Sequence, residues 1–532
     1  MRRNSVRVLA ASALLLVART TQADDTLVLD GEVPDDASEF FYVPFDVPEG
    51  TAEIEVRHDD LSEENILDWG LYEPSGAFRG WGGGNAEPAV VTELAASRSY
   101  LIGPLPSGEW NVVVGKAKIK ETPALYHIEV DLQDAPTLPA QPERAPYEAA
   151  PALSTEARWY AGDFHVHSRE SGDARESMTL DEIASFAKDR GLDFVALSDH
   201  NTVAQLDFLG DAQARQRDFL LLPSVEFTTY AGHANGIGAT AWVDHKIGFE
   251  GATIEAAAKA FADQGAIFSI NHPALDVGDL CIGCAWDHDL SPESVGAVEI
   301  ATGGLAQGGT LFTPNAIAFW EELCATGRHI PAVGGSDDHR AGQDLSGFQS
   351  PIGDPTTLVY ATELSTAGIL EGIKNGRTVV KLQGPDDPML EVEASVAPAG
   401  DSITAARVTL RARVTHGDGT KVRFVKNGQP EPEVTVVGDD FVHEAEALAP
   451  AEGEDRWRAE VLVEDDPRTV SSYLWLKSDG TDPTGPAGND PAPLEPGGGG
   501  CGCALPNPAP RSAWLAAALS LLALLSRRRR RP

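Results

Sequence analysis

Between residues 158 and 382 strand-length and helix-length signals alternate, and strand after strand runs into His, Asp or Glu at its C-terminal end. Repeated strand–helix units imply a parallel sheet, either open or closed as a barrel. In such sheets the strand C-termini form one face, and sites are built there. The series begins at Asp163-Phe164-His165-Val166-His167. Side chains two apart in a strand point the same way, so His165 and His167 can share one metal ion. Asp173 follows in the next loop, and Asp199-His200-Asn201 ends the second strand. Glu226 ends the third, with His233 just beyond. His272 follows the next strand, Glu299 lies in Val298-Glu299-Ile300, and Asp337-Asp338-His339 follows Gly334-Gly335-Ser336. One His at a strand end is usually a satisfied core or loop residue. Six of them, with several carboxylates at equivalent ends, point to a metal site. The N/O donor set suits Zn, Mn or Fe and does not choose among them.

Local chemistry sets the elements that carry these residues. Thr179-Leu180-Asp181-Glu182 is a capping box, and Leu180, Ile183, Ala184 and Ala187 keep helical spacing up to Gly191. Thr253 caps a second helix, with Ile254, Ala257, Ala258 and Phe261 on one face and Gly265 closing it. Thr313-Pro314 opens a third, which Gly327 ends. Phe194–Leu197, Ala266–Ile270 and Ile330–Val333 read as strands, and Phe219–Leu222 leads to another.

The flanks differ. Residues 24–135 show short alternating runs between Gly/Pro turns, as in Ala52–Val56, and read as a β-sandwich. It would be a structural spacer or, as the minority view, a sugar- or surface-binding module. Residues 136–157 are a Pro/Ala-rich linker. In residues 386–478 runs such as Arg407–Val414 place apolar residues at every second position, which predicts a second small β-sandwich. Residues 479–500 are a Gly/Pro/Asp-rich linker.

At 532 residues the chain is too long for one core. Its formal net charge is −40, and residues 1–23 and 504–532 contain Arg but no acid, so the body between is more acidic still. Bulk charge therefore argues against nucleic acid or anionic lipid as a partner and favours solubility and cation binding. Most of these charges read as a solvated surface. Five Cys are too few for a disulfide framework. For Cys281-Ile282-Gly283-Cys284 a local disulfide or loop clip is favoured over metal binding, because no second CxxC completes a zinc site. No GxSxG, Walker A or HExxH motif supports a serine hydrolase, nucleotide triphosphatase or zincin.

The first residues, MRRNSVRVLAASALLLVARTTQA, read as a secretory signal peptide cleaved after Ala23. The last 32 (501–532) join Cys501-Gly502-Cys503 to an apolar run, Ala513–Leu525, and to five Arg, Arg527–Arg531. This layout resembles the MYXO-CTERM type of sorting tail. The resemblance implies export, tail removal by processing and sorting machinery near Cys501 and Cys503, and attachment at the cell surface. A retained C-terminal membrane anchor is the alternative.

The central motifs resemble the PHP (polymerase and histidinol phosphatase) superfamily of metal-dependent hydrolases. They are Gly162–Ser168, Ser171–Ala174, Leu197–Asn201, Val225–Thr229, Gly232–Asn235, Asn271–Pro273 and Gly335–His339. Within it they are most similar to the CehA/McbA-type branch, which includes a carbamate hydrolase. The resemblance implies a distorted (β/α)7 barrel, flanked here by the two sandwiches, holding two or three divalent metals. It implies that His165, His167, Glu226 and Asp337 hold one ion. Glu226 would bridge to a second with His272 and His233, and Asp173, His200 and His339 would hold a third. Asp163 and Asp199 would orient imidazoles, and Glu299 would be structural or substrate-facing. A metal-activated water would attack a phosphoryl or acyl centre of a small-molecule substrate, with His339, His233 or Asp337 as proton shuttle. The competing expectation is a non-catalytic, metal-stabilised binding or structural protein at the surface. Oligomeric state is left open.

Overall fold

Alternation in the N-terminal region yields two four-stranded antiparallel sheets. One orders Leu27–Glu32, Leu125–Gln133, Glu53–Asp59 and Ala89–Thr92; the other orders Phe40–Val47, Gly108–Lys118, Ile66–Tyr72 and Phe78–Gly83. Ile54, Val56, Leu67, Trp110, Val112 and Ile128 fill one core between them. The computed structural model describes residues 26–481 apart from 176–177, 304–310, 342, 344–349 and 395–396. The leader expected at 1–23 and the tail with Cys501 and Cys503 lie outside the described residues.

In the central region Arg158–Val166, Phe194–Leu197 and Leu220–Pro223 pair in parallel. Glu226–Thr229 and Gly232–Ile237 form a hairpin, which continues antiparallel to Ile267–Ile270 and then parallel through Ala297–Thr302 and Ala332–Gly335. A (β/α)7 barrel is not evident. The strands fall into two sheets, which meet at backbone bridges between Val166 and Asp338 and between His200 and Glu226. Antiparallel pairing interrupts the parallel winding: a two-residue turn joins Glu226–Thr229 to Gly232–Ile237, and Thr356–Ala361 runs antiparallel to both Arg158–Val166 and Thr378–Lys381. Five α-helices occur among the described residues: Leu180–Asp189, Leu206–Arg215, Ile254–Asp263, Thr313–Ala325 and Thr366–Lys374. The Thr179 capping box makes both of its reciprocal hydrogen bonds, and Thr253 Oγ1 accepts from Ala256 N. Among the described residues no helix is long and apolar enough to cross a membrane.

The Pro/Ala-rich segment is not a free linker but a docked strap. The buried Glu53 carboxylate accepts from Thr137 N and Oγ1 and from Leu138 N. Arg144, buried, donates to Tyr100 O at 3.1 Å and pairs with Asp207 at 3.0 Å, tying the N-terminal sheets to helix Leu206–Arg215. Proline keeps the strap extended while these few polar anchors hold it.

The C-terminal region places Met389–Ala394, Arg407–Thr415 and Asp440–Leu448 in one sheet. Its other sheet is not separate. Thr378–Lys381 pairs with Asp466–Ser471, so strands of the central region and of the C-terminal region belong to one sheet. At the seam with helix Thr313–Ala325, buried Arg458 bonds Glu460 and lies 2.9 Å from Glu321, while Arg423 adds a 2.7 Å contact to Glu460. Burial works to raise the Glu460 carboxyl, but Arg458 and Arg423 outweigh it and hold it below its ordinary value. A lowered folded-state value means that the stabilisation is complete above the unfolded value of 4.5 and is lost as pH falls below it. Glu460→Gln is therefore expected to cost about 3–5 kcal/mol at neutral pH. The difference from the parent chain in denaturant midpoint should shrink as the pH is taken down to 4; a pH-independent difference would refute the ion pair.

Candidate metal centre

Glu226 opens its short strand just where the ends of neighbouring strands meet. Its backbone N–H donates to Asp199 O and its carbonyl accepts from Asn201 N, at 3.1 and 2.9 Å. The carboxylate is fully buried and faces five imidazoles. Oε2 lies 3.3 Å from His165 Nε2, 3.5 Å from His167 Nε2 and 2.9 Å from His200 Nδ1. Oε1 lies 3.2 Å from His233 Nδ1 and 3.4 Å from His272 Nε2, and it accepts from Asn271 Nδ2 at 3.0 Å.

Three clusters of potential ligand atoms result, each with its atoms within 4.8 Å of one another. They are His165, His167, Glu226 and Asp337; Glu226, His233 and His272; and His167, Asp173, His200 and His339. Asp337 Oδ1 approaches His165 Nε2 at 3.3 Å and His167 Nε2 at 3.0 Å. Asp173 Oδ2 lies 3.3 Å from His200 Nε2 and 3.1 Å from His339 Nε2. The structure thus gathers all nine residues expected as ligands; His167 joins the third cluster as well as the first. His233 reaches Glu226 despite their short separation because the hairpin sets it opposite Thr228.

The rings are held from behind. Glu299, buried, takes His165 Nδ1 at 3.0 Å; Cys284 O accepts from His272 Nδ1 at 3.1 Å; Asp337 O accepts from His339 Nδ1 at 2.9 Å. Such partners fix the tautomer and aim the other nitrogen at the centre. Glu299 meets the centre through His165, and its other oxygen, Oε1, is buried without a hydrogen-bond partner. Asp163 and Asp199, unlike Glu299, hydrogen-bond no imidazole. Asp163 accepts backbone N–H groups of His165, Ser336 and Gly353, and Asp199 accepts Ser168 N and Oγ. Their short side chains reach the neighbouring strand ends, so they fix loops instead of rings. His272 (φ 27°) and Asp337 (φ 56°) hold left-handed backbone, uncommon away from glycine and frequent at functional sites.

The donor set fits cations. His165 Nε2, Glu226 Oε2, His233 Nε2 and His339 Nε2 are buried without a hydrogen-bond partner, a costly arrangement unless something positive satisfies them. Burial acts to raise the Glu226 carboxyl, yet His165 and His200 hold it well below its usual range. Burial, and then the charge of His339 and His200, push His167 down to about 3, so the ring is neutral and keeps one nitrogen lone pair.

The N-terminal region also belongs to the site, which the sequence did not reveal. Arg98 forms a bidentate pair with Glu87 at 2.6 Å and donates to Ala174 O at 2.5 Å and Gly172 O at 2.9 Å. It thereby brackets Asp173. Gly172 is required there, since a Cβ would fall 2.5 Å from Gly82 O. Ser99 Oγ donates to Glu170 O, and Tyr230, at the hairpin turn before His233, donates to half-buried Asp68 at 2.7 Å.

No family model and no curated protein matches the chain. Among solved structures it is similar to a two-domain protein containing a predicted PHP-like metal-dependent phosphoesterase from Bacteroides vulgatus, at 20% identity over 63% of this chain and 100% of that one, with a TM-score of 0.34. It is also similar to a lesion-specific endonuclease from Pyrococcus furiosus, at 14% identity and a TM-score of 0.28, over 42% of this chain and 58% of that one. With TM-scores of this size, the weight rests on the side-chain geometry.

Proposed function

We propose that this chain is a metal-dependent hydrolase of the PHP kind, of the CehA/McbA-type branch, acting on a phosphoester or on a carboxyl ester, amide or carbamate of a small molecule. The observation that carries the reading is the convergence of five imidazoles on one buried carboxylate, Glu226, with Asp337 and Asp173 beside them. The residues that would hold two or three ions are the three clusters sharing Glu226 and His167. Bound Zn, Mn or Fe would acidify a water and polarise the substrate oxygen.

The protein's own groups supply the rest. Glu226 neutralises cationic charge from the buried side. Glu299, Cys284 O and the Asp337 carbonyl fix ring orientation. Of the three candidate shuttles, His233 is lodged against Glu226 with its side chain 5% exposed, whereas those of His339 and Asp337 are 19% and 29% exposed. A proton must leave to solvent, so His339 and Asp337 are the better placed. The acidic chain supports a small-molecule substrate over nucleic acid. Export and surface attachment are part of the proposal and rest on residues 1–23 and 501–532.

The test pairs metal content per chain by plasma mass spectrometry with turnover of phosphate esters, carboxyl esters and carbamates under Zn, Mn or Fe, with and without chelator. Two or three equivalents and chelator-sensitive turnover are expected. Metal without turnover of any class would favour a metal-stabilised structural protein, and no metal would remove both readings.

A further inference from the structure

The CxxC lacks a second CxxC in sequence, but the fold brings it a third donor. A ring nitrogen of His233 and the sulfur atoms of Cys281 and Cys284 lie within 4.8 Å of one another. His233 Nε2 is buried and has no hydrogen-bond partner, while His233 Nδ1 faces Glu226. The loop is seated from both sides. Gly283 (φ 76°) packs against the hairpin turn, where a Cβ would fall 2.3 Å from Thr229 O. Lys118 and Lys120 of the N-terminal sheet grip Asp279 at 3.2 and 2.6 Å. Cys281 and Cys284 are joined as a disulfide, with Cys284 buried.

We propose that Cys281, Cys284 and His233 form a second, soft-metal site when the disulfide is reduced, and that this site draws His233 away from Glu226 and His272. Reduction breaks the S–S bond with two electrons and two protons from a dithiol, which itself becomes a disulfide. Binding of a soft divalent cation such as Zn or Cd then releases the two thiol protons, because the thiolate is the ligand. Two thiolates and an imidazole make a three-ligand set with an open fourth position. A neutral imidazole has one lone pair, so His233 serves one cation at a time. Exchange with the disulfide form of that dithiol, which takes up the two electrons and two protons, reforms the Cys281–Cys284 bond, expels the cation and returns His233 to the carboxylate cluster. The same loop carries Cys284 O, which orients His272, so both non-carboxylate members of that cluster answer to the state of the CxxC.

The test uses the full chain with cadmium as probe and a phosphine as reductant, read by ultraviolet thiolate-to-cadmium absorption. Reduced protein should bind one cadmium more than oxidised protein, with that absorption. Cys281→Ser/Cys284→Ser should lose the extra equivalent while keeping any uptake at Cys501 and Cys503. His233→Ala, or His233→Gln if the first does not fold, should weaken it about tenfold or more. In the reduced, cadmium-loaded chain Mn binding at the carboxylate cluster should also weaken. Equal uptake in oxidised and reduced chains, a count of equivalents that the double Ser substitution does not lower, or an affinity indifferent to His233 would overturn the site. Unchanged Mn binding would overturn the sharing of His233. None of these readings depends on turnover, so their failure is distinct from failure of the hydrolase reading.

Discussion

Glu226→Gln is expected to remove hydrolytic activity by about 10³-fold or more, because the several kcal/mol that bound metal supplies to the transition state are lost at about 1.4 kcal/mol per tenfold. The reasoning is geometric. Glu226 is the one residue common to the two buried clusters, and each of its oxygens serves a different set of rings. The amide keeps the shape and the Asn271 contact region but removes the negative charge that offsets two cations. Metal content should fall by more than one equivalent, while far-ultraviolet circular dichroism stays unchanged. Loss of a single equivalent would mean that Glu226 serves one ion only and does not bridge. Retained activity would sink the proposed centre.

Arg98→Ala should weaken metal binding at the Asp173, His200 and His339 cluster about 10–100-fold, the range for removing a group that orients a ligand. Arg98 does not touch a ligand side chain. It fixes the carbonyls on either side of Asp173 through a guanidinium that is itself fixed by Glu87. The readout is a calorimetric Mn titration, in which the weakest step should move and the tighter steps should not. Excess Mn should restore turnover. Arg98→Lys should behave like Ala, since an ammonium cannot span Glu87 and two carbonyls at once. An unaltered titration would show that the N-terminal sheets merely lie against the site.

What could be read from sequence was what local chemistry determines. Thr179 and Glu182 announce a helix because both halves of the reciprocal cap sit within four residues. Leu206–Arg215 escaped notice because Gln205 gives it no side-chain cap, whereas Thr366–Lys374 carried a usable signal in Ser365, which accepts from Gly368 N. The strand-end His and Asp were legible because period two and strand polarity aim them together; which of them share an ion was suggested only by family resemblance. Arg98 was illegible, since its meaning depends on two regions docking more than 70 residues apart. Glu299 stood out as an acid in an apolar strand, but its partner did not, because His165 lies 134 residues away. The absence of an evident closed barrel was equally hidden, because a four-residue strand does not state whether its neighbour runs parallel or antiparallel.

The pairing of Thr378–Lys381 with Asp466–Ser471 has a consequence for how such a chain can be inherited. Modules strung on flexible tethers can be exchanged by recombination at the tether. Here the boundary near residue 382 is a row of backbone hydrogen bonds, and a cut there would strand an open β-edge beside the centre. Duplication or shuffling of residues 158–382 alone would carry that edge along, so the metal-bearing region and its C-terminal neighbour are bound to travel together as one heritable piece.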